Sequence, residues 1–267
     1  MKLGVSYNLF DGEELLEYSI RSIRGSVDYI SVVYQTISNY GFGCSEKLIE
    51  TLTRLKTLRL IDELYEYIPS LSIPSISDED LNVVHHEVEK RNIGLELSGK
   101  NNCTHHMSMD CDEFYVRDQF EYMKETIVKG GYESAACLYC FYYKDSLYQV
   151  SPKEKKYVST IYKINEKTKF VYRSKKAPVP IDPTRKTNNS KYIVFKRSEV
   201  EMHHMSFVRK DIRKKLMSSS ARKYFFEKIG KVTDHYENWK YPEPIMWANG
   251  SIANVIKIDR VFEIYPT

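Results

Sequence analysis

Two things are missing from this 267-residue chain. It has no signal-peptide pattern, and it has no apolar run near the roughly 18 residues that a bilayer-spanning helix requires. A soluble, cytoplasmic protein without a transmembrane segment is therefore expected. Cysteine is sparse: Cys44, Cys103, Cys111, Cys137 and Cys140 are odd in number and scattered, which argues for reduced thiols rather than a disulfide framework. Cys137-x-x-Cys140 lies in an apolar, aromatic run and has no second cysteine pair to complete a zinc site, so both read as core residues. There are no internal repeats and no low-complexity segments. The length suits one large domain, or one domain with an appendage, burying roughly 70–75% of its unfolded surface without staples.

Charge is plentiful but unevenly placed. Residues 1–152 hold 14 Lys and Arg against 24 Asp and Glu, and residues 153–267 hold 26 against 12, so a net +4 conceals balances of −10 and +14. Two readings follow. The basic half faces a polyanion such as nucleic acid, or it complements the acidic half and a phosphate-bearing ligand.

The first 115 residues alternate strand-like and helix-like patterns. Residues 2–9, 28–34 and 61–67 read as strands. Residues 13–24 carry Leu15, Leu16, Ser19, Ile20 and Ile23 on one helical face, and residues 45–56 repeat that spacing. Ser77 with Asp80 forms a capping-box signature for a helix to about residue 98. The run 104–109 is the next strand. This alternation predicts an α/β fold with a mostly parallel sheet flanked by helices, and ligands at the carboxyl ends of its strands. Beyond residue 115 the pattern changes to a mixed α+β extension. Residues 118–129 read as a helix, and 134–143, 158–164, 169–173 and 192–197 as strands. Residues 177–183 hold three prolines and form a loop, 209–229 form a basic helical stretch, and 253–265 an apolar return segment. The predicted division is a main α/β domain over residues 1–207 and a packed extension over 208–267.

The most informative feature is Asp110-Cys111-Asp112-Glu113 at the end of the run 104–109. Carboxylates at i and i+2 leave a strand on one side and can chelate one hard divalent cation. A cation at a strand end can grip a diphosphate. Three segments, in this order, resemble the GT-A class of nucleotide-sugar glycosyltransferases: the Tyr7-to-Leu16 turn from first strand to first helix, Lys90-Arg91-Asn92-x-Gly94, and Met109-Asp110-Cys111-Asp112-Glu113-Phe114. The resemblance covers roughly residues 1–210. It implies a Rossmann-like GT-A sheet and a nucleoside-diphosphate sugar, UDP-sugar first, as donor. It implies Mn²⁺ or Mg²⁺ as cofactor. Tyr7, Asn8, Asp11, Gln35, Lys90, Arg91, Asn92, Asp110 and Arg185 become the candidate donor-binding residues. One departure stands out: the second strand ends in Gln35, where many relatives carry an acidic residue.

Residue chemistry supplies roles for the same parts. Asp110 and Asp112 are the candidate metal ligands, and Asp112 is also a candidate catalytic residue. In Met202-His203-His204-Met205-Ser206 only one imidazole of a strand can face the site, and similarity to H-x-S segments of such enzymes favours His204 as third ligand. His105, His106, His85 and His86 read as core or solvated residues. Asp182, set between Pro180 and Pro183 and three residues before Arg185, is the first candidate for the base that accepts the acceptor's proton. The alternative is that Asp182 satisfies its own turn; Glu133 and Asp145 are the other carboxylates considered.

The cations Arg209, Lys210, Arg213, Lys214, Lys215, Arg222 and Lys223 are interleaved with aromatic residues. They form either a solvated helix face or a grip on a nucleic-acid backbone. The N-terminal wording also resembles small phage-type glycosyltransferases that modify 5-hydroxymethylcytosine. That implies duplex DNA as preferred acceptor and a bacterial or infected-host cytoplasm as setting. Surface glycans or lipid-linked sugars are the alternative acceptors. A metal-dependent phosphoesterase and a non-catalytic nucleic-acid-binding module are the alternatives from other classes.

Overall fold

The computed structural model describes residues 1–70, 79–172, 176 and 178–264, with residues 79–81 described by backbone alone. The elements run β1 (Leu3–Leu9), α1 (Glu13–Ile23), β2 (Tyr29–Tyr34), α2 (Lys47–Thr57), β3 (Glu63–Glu66), α3 (Glu79–Lys100), β4 (His105–Asp110), β5 (Glu113–Tyr115) and α4 (Arg117–Gly130). They continue with β6 (Ser134–Tyr143), β7 (Asp145–Ser151), β8 (Tyr157–Lys163), β9 (Tyr192–Val194), β10 (Glu201–Phe207), α5 (Ile212–Ser218), α6 (Ile229–Asn238), β11 (Ile245–Met246) and β12 (Ile252–Lys257). The order along the sheet is β11-β12-β7-β6-β8-β4-β1-β2-β3. Strands β4, β1, β2 and β3 are mutually parallel, and the other half is mixed. The α/β expectation matches this architecture.

Local sequence explains the parallel half. Strand β1 is buried at all seven positions, as expected for a strand covered on both faces. Helix α1 turns Leu15, Leu16, Ser19, Ile20 and Ile23 inward, each apolar side chain worth about 1.5–3 kcal/mol of burial. Helix α3 lies close on β1, because a Cβ at Gly94 would fall 2.2 Å from Ser6 Oγ. Register pairs Asn8, next to last in β1, with Asp110, last in β4, so both lie at one edge of the sheet.

Several elements differ from expectation. The strand that carries both histidines, β10, begins at Glu201 and runs to Phe207, held between β5 and β6 by tertiary pairing. Strand β7 was not foreseen. The stretch 209–229 is not one helix: α5 ends at Ser218, two short 3₁₀ turns follow, and α6 starts at Ile229. Three consecutive serines, Ser218 to Ser220, interrupt it, consistent with the tendency of serine to compete for helix backbone bonds. Over residues 169–172 there is one isolated bridge, Phe170 to Thr187, instead of a strand. Ser77 of the expected capping box lies outside the described residues, as do Arg173, Ala177 and Tyr265. Residues 208–267 contribute β12 to the main sheet beside β7, and they supply side chains to the site described next.

Candidate functional site

At the carboxyl edge of β1 and β4 the chain forms an open cleft with a cavity volume of about 160 Å³. Its walls carry carboxylates from Asp11, Glu87, Asp110, Asp112 and Asp182, and cations from Lys90, Arg91, Arg209 and Lys215. Ser218, Ser219 and Ser220 close one side. Asn8 is buried in the wall, and neither its Nδ2 nor its Oδ1 has a hydrogen-bond partner. A buried amide left unsatisfied costs about 1–3 kcal/mol, so it marks a place where a ligand's polar atoms would repay that cost.

The two aspartates are built differently. Asp110, 38% exposed, meets Arg185 Nη2 at 2.7 Å and Arg91 Nη2 at 3.5 Å. Burial opposes its ionisation, but Arg185 and Arg91 prevail and hold its carboxyl at about 2. Asp112 is buried in the turn between β4 and β5. Its Oδ2 accepts from Arg209 Nη2 at 2.7 Å and Lys215 Nζ at 3.3 Å, and its Oδ1 lies 3.3 Å from His204 Nε2. Burial pushes against ionisation here too; Lys215, His204 and Arg209 outweigh it and keep the carboxyl well below the usual range. Arg209 reaches Asp112 across Gly12, whose φ is 90° and where a Cβ would overlap the guanidinium.

His204 and His203 alternate across β10. His204 faces Asp112. His203 turns the other way, onto Tyr142, and burial lowers its pKa to about 3. Asp112 Oδ1 is buried without a hydrogen-bond partner, and the imidazole nitrogen that faces it is Nε2; His204 Nδ1, the ring's other nitrogen, is also without one. An oxygen and a nitrogen donor 3.3 Å apart, with unsatisfied valence at the carboxylate, fit a divalent cation. Asp110 is turned to its two arginines. Among the described residues, the three side chains whose ligand atoms all lie within 4.8 Å of one another are Cys140, Glu201 and His203, and Asp110, Asp112 and His204 form no such group.

The remaining predicted residues separate into two sets. Lys90 and Gln35 are buried together, Nζ to Oε1 at 2.5 Å, and Lys90 also pairs with Glu87. Arg91 donates to Ser108 Oγ at 2.7 Å. Asp11 lies 3.5 Å from Lys214 and opens on the cavity. Asp182 lines the cavity while its Oδ1 accepts from the backbone and hydroxyl of Thr184, both at 2.8 Å, so it does satisfy its own turn. Tyr7 is a correction: it is wholly buried and its hydroxyl meets Ser19, because β1 points it into the core. Asn92 is another, since it ties α3 to Phe170 through both backbone groups. Arg185 is a third: it is spent on Glu113 and Asp110 instead of facing the cavity. Glu133 caps the Ser190–Lys191 turn, and Asp145 pairs with Arg260.

The basic segment is corrected most. Arg209 is buried on Asp112, and Lys215 also points into the site. Lys214 pairs with Asp11. The Arg222 guanidinium is stacked among Tyr40, Phe42 and Phe226, at 4.7, 5.7 and 4.8 Å. Lys210, Arg213 and Lys223 are exposed, Lys223 with its ammonium 5.2 Å from the Tyr224 ring centroid. Sequence reasoning had no signal that Arg209 and Lys215 belong to the Asp112 site, because they approach from about 100 residues away. No helix among the described residues is long and apolar enough to cross a membrane.

No protein-family model matches the chain, and no curated protein matches it. Among solved structures it is similar to S. aureus TarS, at 11% identity and a TM-score of 0.43 over 88% of this chain. It is similar to GalNAc-T7 solved with UDP, GalNAc and Mn²⁺, at 8% identity and a TM-score of 0.46 over 91% of this chain. A third is glucosyl-3-phosphoglycerate synthase from Mycobacterium tuberculosis, solved with Mn²⁺, UDP and phosphoglyceric acid, at 11% identity and a TM-score of 0.31 over 52% of this chain. The chain spans 44%, 52% and 43% of the length of these three proteins, in that order.

Proposed function

We propose that this chain is a metal-dependent glycosyltransferase of the GT-A type, moving a sugar from a nucleoside-diphosphate sugar, a UDP-sugar first, to an acceptor hydroxyl. The observation that carries the reading is the cavity at the β1–β4 edge. It gathers Asp110 and Asp112 with Lys90, Arg91, Arg209 and Lys215, and it holds the unsatisfied Asn8. Carboxylates suited to a cation beside fixed positive charges are what a leaving diphosphate needs. Asp112 and His204 would hold Mn²⁺ or Mg²⁺, with Asp110 beside them; the cation supplies neutralisation of charge on the phosphates. Lys90, Arg91 and Lys215 orient the diphosphate from the protein side. In an inverting transfer the acceptor oxygen bonds the sugar carbon while the carbon–phosphate oxygen bond breaks. The hydroxyl proton then passes to Asp182 at Oδ2, since Oδ1 is held by Thr184, and the nucleoside diphosphate leaves.

The preferred acceptor is 5-hydroxymethylcytosine in DNA. Its support is the exposed cations Lys210, Arg213 and Lys223, the last of them next in sequence to the Arg222 that stacks on Tyr40 and Phe226. Three phosphate contacts would give a log-affinity against log-salt slope of about −3. The test supplies UDP-sugars, Mn²⁺ and duplex DNA with plain or 5-hydroxymethyl cytosine. Donor turnover that disappears in Asp112→Asn supports the transferase reading, and transfer confined to the modified duplex supports the acceptor. Donor turnover with no DNA binding at low salt moves the acceptor to glycans, and absence of any turnover refutes the whole reading.

A further inference from the structure

Strand β10 serves two sites. His204 goes to Asp112, and the alternating residues Glu201 and His203 go to the opposite face, where neither takes part in the chemistry above. There they meet Cys140 of β6, which pairs directly with His203 in register. Cys140, Glu201 and His203 are all buried, at 0, 5 and 6% exposure, and their ligand atoms lie within 4.8 Å of one another. We infer that these three side chains form a structural zinc site, separate from the Asp112 site.

The donor set is a thiol, an imidazole and a carboxylate, which suits a borderline-soft ion such as Zn²⁺ and suits Mg²⁺ poorly. Cys140 Sγ and His203 Nδ1 are 3.7 Å apart. Ligands at ~2.3 and ~2.05 Å from a tetrahedral zinc stand about 3.6 Å apart, so the pair needs almost no movement. The fourth position is available to Gln149, which is buried on β7 and whose side-chain amide lies 3.6 Å from the same sulfur. Binding forms an S–Zn bond and releases the Cys140 thiol proton to solvent. The Tyr142 hydroxyl, now 2.7 Å from His203 Nδ1, would give up the imidazole and keep the Gln149 Nε2 donor it already has at 3.0 Å. Glu201 also pairs with Lys153 and Arg197, whose side chains are partly exposed. A carboxylate offers about four lone-pair positions, enough for a metal and two cations.

The test loads purified wild-type protein with Zn²⁺, desalts it and measures metal by mass spectrometry. About one zinc per chain is expected, retained in Asp112→Asn and lost in Cys140→Ser and His203→Gln. Wild-type protein loaded with Co²⁺ should show a thiolate-to-cobalt charge-transfer band, a readout that does not depend on any variant folding. No retained zinc, zinc retained equally in Cys140→Ser, or a cobalt spectrum without the thiolate band would each overturn the inference.

Discussion

Replacing Arg185 by methionine separates an internal ion pair from a ligand-binding residue. The guanidinium and the Glu113 carboxylate are each 3% exposed and meet through two hydrogen bonds, at 3.0 and 2.5 Å. Arg185 also donates to the Ser108 carbonyl and to Asp110. Methionine keeps much of the stem but leaves Glu113 buried without its partner. Breaking a buried pair in this way costs about 3–5 kcal/mol. With an unfolding entropy of about 2 cal/mol/K per residue, a chain of this length loses about 2 °C per kcal/mol, so Tm should fall by about 5–9 °C. Asp110 adds less, because it can be solvated at the cavity. Adding Glu113→Gln to Arg185→Met should restore more than about 1 kcal/mol, since two coupled residues do not act additively. Differential scanning calorimetry of the four proteins measures this. A fall below about 2 °C in Arg185→Met, accompanied by lost nucleotide binding, would refute the reasoning and return Arg185 to the donor-binding set.

Gly94→Ala should destabilise the fold by about 1–3 kcal/mol in chemical denaturation, because its Cβ would meet Ser6 at the α3–β1 contact. His106 is fully buried, and burial, with Arg91 adding to it, lowers its pKa to about 3. The unfolded chain takes up that proton near pH 6.5, so this group's contribution is complete above 6.5. It is lost as pH falls towards 3, by up to about 1.4 kcal/mol per pH unit. His106→Asn should flatten the measured stability–pH curve across that window. His204→Ala should weaken Mn²⁺-dependent nucleotide binding while retaining Tm within about 2 °C. His203→Ala should do the reverse, lowering Tm through loss of the Tyr142 contact; calorimetry and titration together distinguish them.

Much of the parallel half was legible because its signals are local. Strands β1 and β2 and helices α1 and α2 follow hydrophobic period, and the acidic turn after β4 follows from two aspartates at i and i+2. The favouring of His204 over His203 rested on alternation along a strand and a family resemblance, and the structure turns His204 toward Asp112. What was not legible depends on long-range contact. Arg209 looks like any surface cation in a basic run, yet Gly12, nearly 200 residues earlier, opens the space through which it reaches Asp112. Tyr7 and Asn92 sit in motif positions, but their side chains are claimed by the core and by the Phe170 segment. Met202-His203-His204-Met205-Ser206 has no strong strand propensity of its own, and pairing with β5 and β6 on both sides makes it part of β10.

The central claim is that the Asp112 cavity binds a nucleoside diphosphate together with a divalent cation. Thermal shift of the whole chain with UDP, GDP, CDP or TDP, each with and without Mn²⁺, tests it directly. A ligand at 100 times its Kd stabilises the folded state by about 2.7 kcal/mol, which for this chain is a rise of about 5 °C. The account predicts that rise with UDP and Mn²⁺ together, a smaller one with UDP alone, and none in Asp112→Asn. No shift with any of the four nucleotides, or an equal shift in Asp112→Asn, would contradict it.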